Sequence, residues 1–271
     1  MAGLVHLPSQ AKSGPTGPRP TVVVCHGFKG FMEWGFFPYL TELLTDRGFV
    51  VVQFNFSGSG MRPGDDLVTD LSAFSTATHS KDLEELNALL GALGVEVAPG
   101  RVDRKNLGLF GHSRGGGTAI LAAGQSKNRD CLRSLVTWSA VSTFDRLTVD
   151  QKASWRQLGA FDVVNARTGQ KLSIDPLVLD DLEKHSSRLE ILAAASRCQV
   201  PWLIVHGQMD ETVPVEEAHR LAEKGSDVAH LTTIAGASHT FGATHPMNGP
   251  TPQLIEALNA TQMWFRKTLS R

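Results

Sequence analysis

Gly111-His112-Ser113-Arg114-Gly115 sets one hydroxyl among glycines, in the pattern G-x-S-x-G, with an apolar run on either side. A serine hydroxyl is a weak nucleophile until a base takes its proton, so the pattern calls for a histidine and for an acid to orient it. A turn of this kind between a strand and a helix is partnered in the chain order serine, acid, histidine. "LIVHGQMDETVP" puts Asp210 just beyond an apolar run, and "LTTIAGASHTFG" puts His239 just beyond the next. His245, Asp145 and Asp175 are weaker candidates, because none directly follows a strand in the expected position. His26 and His112 flank glycine turns and read as packing residues beside the site. Acyl transfer also needs two N–H donors for the oxyanion. Arg114 N–H, immediately after the serine, is one. Phe28 N–H in "CHGFKGF" is the expected second, with Lys29 as its competitor.

These residues act together only if the chain brings distant strand ends to one edge. "TVVVCHG" and "FVVVQFNFSGSG" are short β-branched runs, the pattern of strands buried on both faces. Between them "FFPYLTELLTDRG" places Phe36, Leu40, Leu43 and Leu44 on one helical face, with Gly48 closing the helix. "SKDLEELNALLGALG" repeats the helical spacing at Leu83, Leu86, Leu90 and Leu93, with Ser80 as the expected N-cap. "NLGLFGHS", "SLVTWSAVS", "VPWLIVHGQMD" and "AHLTTIAG" continue as strands, and Thr251-Pro252 caps a final helix carrying Leu254, Leu258, Phe265 and Leu269. Such alternation predicts an α/β fold: a doubly wound, mostly parallel sheet with helices on both faces and a site at the strand carboxyl ends. Glycines around Ser113 then serve a tight turn that aims the serine above its strand, at a helix N-terminus that favours developing negative charge.

The segment 142–197 is too long for a simple crossover. It reads as a small lid-like insertion between the sixth and seventh sheet strands, and "FDVVNARTGQKLSID" within it reads as a hairpin. Trp155, Leu158 and Phe161 are placed to line an acyl or aryl pocket there, or else to fasten the insertion to the body.

With 271 residues, 41% of them apolar, the chain has enough to bury one large core, and a single domain is expected over 1–271. Twenty-six Lys and Arg against 27 Asp and Glu leave a formal charge of -1, which provides no field for nucleic acid or an anionic membrane. A small, weakly charged molecule is the expected partner. Cys25, Cys131 and Cys198 are too scattered for a disulfide framework or metal cluster and read as buried thiols of a reducing compartment. The N-terminus lacks the apolar core of a signal peptide, and no segment approaches the roughly 18 unbroken apolar residues of a membrane span, so a cytoplasmic location is expected. Ser9 to Pro20 reads as a Pro/Gly-rich surface connection.

"HGFKGF", "GHSRGG", "HGQMDETVP" and "GASHTFGATHP", in that order from Thr21 onward, resemble the oxyanion, nucleophile, acid and histidine blocks of the α/β-hydrolase superfamily. Within it the chain is similar to dienelactone-hydrolase-like and feruloyl-esterase-like serine hydrolases. The resemblance implies a carboxylic ester hydrolase with no metal and no cofactor, acting on a small-molecule ester. Serine peptidases and thioesterases share the same blocks, and a non-catalytic binding module on this fold would usually have lost a triad member. Two departures stand out. Dienelactone hydrolases proper use a cysteine where this chain has Ser113, and many relatives begin with an antiparallel hairpin where only "GLVHLP" could supply one strand.

Overall fold

The computed structural model describes residues 1–8 and 17–269, so most of the expected surface connection from Ser9 to Pro20 lies outside the described residues. Nine strands follow in chain order among the described residues: β1 (Ala2–His6), β2 (Arg19–Cys25), β3 (Val50–Asn55), β4 (Val102–His112), β5 (Leu132–Trp138), β6 (Phe161–Val164), β7 (Lys171–Ile174), β8 (Trp202–Gly207) and β9 (Ala229–Ile234). Seven of them form one sheet in the order β1-β3-β2-β4-β5-β8-β9, while β6 and β7 pair only with each other. All neighbours in the large sheet run parallel except β1, which lies antiparallel on β3 with Ala2 opposite Asn55.

The inner strands β2, β3, β4, β5 and β8 are buried over most of their length because their side chains alternate between two apolar clusters. Val22 and Val24 of β2 pack under α1 (Phe37–Asp46), whose Leu40 and Leu44 they meet in one cluster, together with the C-terminal helix. Val23 and Cys25 face the opposite cluster. That cluster is covered by α3 (His79–Ala92) and α4 (Arg114–Ala123), which follow the short α2 (Leu71–Ser75). Thr78 rather than Ser80 is the N-cap of α3: its side chain accepts the Lys81 N–H, while Ser80 lies inside the helix and its hydroxyl donates to Asp181. A serine two residues into a helix still reads as a cap in sequence, since both positions precede the same apolar spacing.

The insertion leaves after β5 and returns at β8, which are the fifth and sixth strands of the large sheet in chain order, not the sixth and seventh. The difference arises at the N-terminus, where β1 alone stands in place of a hairpin among the described residues. Within the insertion come α5 (Val149–Leu158), the β6–β7 hairpin, α6 (Leu177–Lys184) and α7 (Ile191–Ala195). The hairpin forms as its turn residues predict, with Phe161 opposite Ile174 and Gly169 at φ +69° in the turn. The last part of the insertion belongs to the body, because Ile191, Ala194 and Ala195 of α7 are buried in the cluster that holds α4. Two helices complete the chain, α8 (Val215–Lys224) and α9 (Pro252–Thr268), the latter capped by Thr251 with Pro252 in its first turn.

Cys25 and Cys198 are buried free thiols, whereas Cys131 is only partly buried. No helix among the described residues is long and apolar enough to cross a membrane.

Candidate active site

The turn from β4 into α4 has almost no room. A Cβ on Gly115 would stand 2.3 Å from the His26 carbonyl oxygen and 2.7 Å from that of Cys25, and one on Gly111 would stand 2.5 Å from the Gly115 carbonyl. Glycine is therefore the residue type these two positions can accommodate. Between them Ser113 takes φ +55° and ψ -122°, a conformation strained for an L-residue. Its backbone is held on both sides: Ser113 N–H donates to Trp138 O at 2.9 Å, and Gly116 and Gly117 N–H donate to Ser113 O. The side-chain oxygen has no hydrogen-bond partner among the described residues, and Ser113 as a whole is 9% exposed. Such strain concentrates at functional positions, where the surrounding packing over-determines it.

Two loops bring the other candidates to the same edge. Asp210 follows β8 and His239 follows β9, and His239 Nδ1–H donates to Asp210 Oδ2 at 2.8 Å. The other carboxylate oxygen, Oδ1, accepts the N–H groups of Thr212 and Val213 at 2.9 and 2.8 Å. Burial acts to raise the pKa of Asp210. The hydrogen bonds from His206, His239 and Val213 and the charge of His239 together outweigh it and hold the carboxyl well below the usual carboxylate range. Asp210 is thus a fixed anion behind His239.

His112 packs against His239 with ring centroids 4.7 Å apart, and its Nε2–H donates to the His239 carbonyl at 3.0 Å. Burial, joined by the repulsion of His239, lowers the pKa of His112 to about 3, so this ring is neutral at neutral pH. His26 is likewise buried and accepts the Phe56 N–H on Nε2, with a pKa lowered to about 4, mainly by burial. Both serve as packing residues beside the turns. The weaker candidates have other partners: His245 accepts the Gly35 N–H, Asp145 pairs with Lys152 at 2.6 Å, and Asp175 accepts the Leu177 N–H.

Gly27 lies against Ser113, since a Cβ there would come within 3.0 Å of the serine Cβ. This contact brings the Phe28 turn to Ser113. Neither Phe28 N–H nor Arg114 N–H donates a hydrogen bond among the described residues, which leaves two unspent donors at the site. The Arg114 side chain is directed elsewhere, with Nε and Nη2 both bonded to Asp82 Oδ2 at 2.9 and 2.7 Å. Lys29 also takes positive φ, +58°, and its ammonium donates to the Val164 carbonyl of the hairpin.

Beside Ser113 opens a cavity of about 290 Å³ walled by Phe28, Phe74, Phe144, Trp155, Phe161 and Val178. Trp155 and Phe161 of the insertion are among the residues that line it. Leu158 is not among them: it is 78% exposed as the last residue of α5, one turn beyond the buried Trp155 and next to the Gly159 C-cap. The i, i+3 spacing puts both residues on one side of the helix, but it does not show that the helix ends at Leu158, where that side is open to solvent. Sequence reasoning also missed His79 and Arg146, which line the cavity, and Phe144, whose ring stacks on His79 with centroids 4.0 Å apart. None of the three belongs to a motif. They reach the cavity through the packing of α3 and the start of the insertion against α4.

The sequence profile of the family described as serine aminopeptidase, S33, matches residues 16–242. An uncharacterized peptidase, YuxL, of Bacillus subtilis (strain 168) is 27% identical over 285 residues. That match covers 98% of this chain, and the chain spans 37% of the length of that protein. Among solved structures, Est1E from Butyrivibrio proteoclasticus with ferulic acid bound superposes with a TM-score of 0.72 at 19% identity, covering 100% of this chain and 96% of that one. A monoacylglycerol lipase from Paleococcus ferrophilus superposes at 0.68 with 20% identity, covering 99% of this chain and all of the other. The structural likenesses establish the fold, and the profile match extends over most of the chain, through the Ser113 turn and on to the His239 loop. The chain is accordingly a member of the serine aminopeptidase S33 family, on the α/β-hydrolase fold.

Proposed function

We propose that the protein hydrolyses carboxylic esters of small acyl or aryl groups through an acyl-enzyme on Ser113. The observation that carries this reading is the 2.8 Å hydrogen bond from His239 to Asp210, formed between two loops on the edge where the strained Ser113 turn also sits. In the first step Ser113 Oγ attacks the ester carbonyl carbon while His239 Nε2 accepts the hydroxyl proton. Asp210 keeps the imidazole in the tautomer with its proton on Nδ1 and stabilises the cation that forms. The carbonyl oxygen becomes an oxyanion, and the unspent N–H groups of Phe28 and Arg114 are the donors that receive it. Collapse expels the alcohol, which takes its proton from His239. Water then attacks the acyl-enzyme by the same route, releasing the carboxylic acid and restoring Ser113. No hydrogen bond joins Ser113 Oγ to His239 among the described residues, and catalytic hydrogen bonds commonly tighten only in the substrate complex.

A peptidase reading is favoured by the family description and by the Bacillus subtilis relative described as a peptidase. The cavity argues for esters over an aminopeptidase role. Arg114 and Arg146 line it and no carboxylate does among the described residues, so nothing there would receive a free α-ammonium group. The test is a panel of kcat/KM values for 4-nitrophenyl acetate and butanoate, a matched butanoyl thioester, and alanine and leucine 4-nitroanilides. Ester turnover should exceed anilide turnover by about a hundredfold or more, given that binding differences of 1–3 kcal/mol add to the poorer amine leaving group. Anilides turned over as fast as the esters would overturn the ester reading in favour of the peptidase.

A further inference from the structure

We infer that His206, which lies outside the Ser113, His239, Asp210 set, is a positioning residue for its acid: the His206 Nε2–H bridges the Val213 carbonyl and the Asp210 carboxylate and so holds Oδ2 on His239. The inference rests on the hydrolase reading above and adds a fourth member to its machinery.

His206 is the penultimate residue of β8, and its side chain is completely buried. Nε2 lies 2.8 Å from Val213 O and 3.4 Å from Asp210 Oδ2. A carbonyl and a carboxylate only accept, so the ring must carry its proton on Nε2. The other nitrogen, Nδ1, is buried and has no hydrogen-bond partner among the described residues. Leaving a ring nitrogen unsatisfied in the core is unfavourable, and a phenylalanine or leucine at this place would avoid it. The arrangement makes physical sense when the opposite nitrogen does something that an apolar side chain cannot.

What Nε2 does is complete a clamp. Asp210 Oδ1 accepts the Val213 N–H, and His206 donates to the Val213 carbonyl, so one residue of the turn is gripped from both ends by groups that also touch each other. Oδ1 of the carboxylate accepts two N–H groups, from Thr212 and Val213, while Oδ2 accepts that of His239 and has the His206 Nε2 beside it at 3.4 Å. Rotation of the carboxylate away from His239 would break all four contacts together. The titratable groups facing the pair are His206 itself and His112, whose ring lies on His239 and whose Nε2–H holds the His239 backbone. His112 fixes the base and His206 fixes the acid.

Removing the His206 N–H has two consequences of known sign. The carboxylate gains rotational freedom, which lowers kcat. Oδ2 also keeps more negative charge for its remaining donor, which favours the protonated imidazole and moves the acid limb of kcat/KM to higher pH. The experiment compares wild type, His206→Phe and His206→Gln, the last keeping an N–H near the position of Nε2. On 4-nitrophenyl acetate, His206→Phe should lose about ten- to a hundredfold in kcat with little change in KM, the scale of a misplaced catalytic group. Its half-maximal pH should rise by about half a unit, and His206→Gln should recover most of both effects. A His206→Phe enzyme with lower thermal stability but wild-type kcat and pH profile would overturn the proposal, leaving His206 a packing residue only. A second measurement needs no variant to fold: ¹⁵N-histidine NMR of the wild type should show the His206 proton on Nε2, the nitrogen that faces the Val213 carbonyl and Asp210. A proton on Nδ1 would overturn the bridge whatever the kinetics. Failure of the hydrolase reading itself looks different, since the wild type would then turn over no member of the ester panel.

Discussion

Asp210 shows how much a single side chain is asked to do. Its Oδ1 fixes the turn at Thr212 and Val213, while its Oδ2 orients His239. Asparagine at this place keeps the carbonyl oxygen for the turn but presents an amide NH₂ to His239 Nδ1. The imidazole must then answer with an acceptor, which leaves its proton on Nε2, where the Ser113 proton has to go. Asp210→Asn should therefore fold with a thermal midpoint within a few degrees of wild type and lose about 10³- to 10⁴-fold in kcat, as expected for a triad locked in the wrong tautomer. Steady-state kinetics beside thermal unfolding would check this, and an Asp210→Asn enzyme with undiminished kcat would show that another acid serves His239. The triad candidates were legible in sequence because each sits immediately after an apolar run, at a place dictated by chain order. His206 was not, because it stands inside such a run, where its role depends on the turn that Asp210 and Val213 make in space.

At the level of elements, the parallel strands were readable wherever a β-branched run ended in glycine, and α1, α3 and α9 wherever leucines and phenylalanines recurred at helical spacing. The insertion was harder, since α5 and the hairpin carry mostly polar residues and are shaped by what they pack on. Gln170 in the hairpin turn donates to the Val68 carbonyl and accepts the Val68 N–H, at 2.8 and 3.1 Å, and Lys29 reaches the Val164 carbonyl. The hairpin is thereby fastened to the loops after β3 and β2. Trp155 and Phe161 differ in what they do within this element. Trp155 is 7% exposed, packs on Val178 and Leu179, and donates its indole N–H to Ile174 O, so its removal should loosen the whole insertion. Phe161 is only half-buried and faces the cavity. Phe161→Ala should cut kcat/KM for a bulky ester such as 4-nitrophenyl 3-phenylpropanoate by about tenfold, the value of roughly 1–3 kcal/mol of apolar contact, and leave 4-nitrophenyl acetate within twofold. Trp155→Ala should lower both esters together with the thermal midpoint. Equal losses on the two esters in Phe161→Ala would remove Phe161 from the substrate pocket.

Across the whole molecule, the buried histidines couple the site to the stability of the fold. His26 and His112 remain neutral when folded, with pKa values lowered to about 4 and about 3, mainly by burial, whereas in the unfolded chain both titrate near 6.5. The unfolded state therefore binds more protons between those limits, and stability is complete above about pH 6.5 and falls as pH drops through the window. Two such groups give a slope of up to about 3 kcal/mol per pH unit near pH 5. Urea unfolding at pH 7.5, 6.5 and 5.5 should show the midpoint dropping with acidity, and a flat profile would mean that these rings are not held neutral. The proposed serine nucleophile on the Ser113 turn, with its base and acid on the loops after β9 and β8, is open to an electrophile that reacts with activated serines. Wild-type protein treated with a fluorophosphonate should gain the mass of one adduct per chain, map to the peptide containing Ser113 and lose esterase activity in step with labelling. Ser113→Ala should take no label and lose the activity. Label on another residue, or full ester turnover by Ser113→Ala, would mean that the nucleophile is not Ser113.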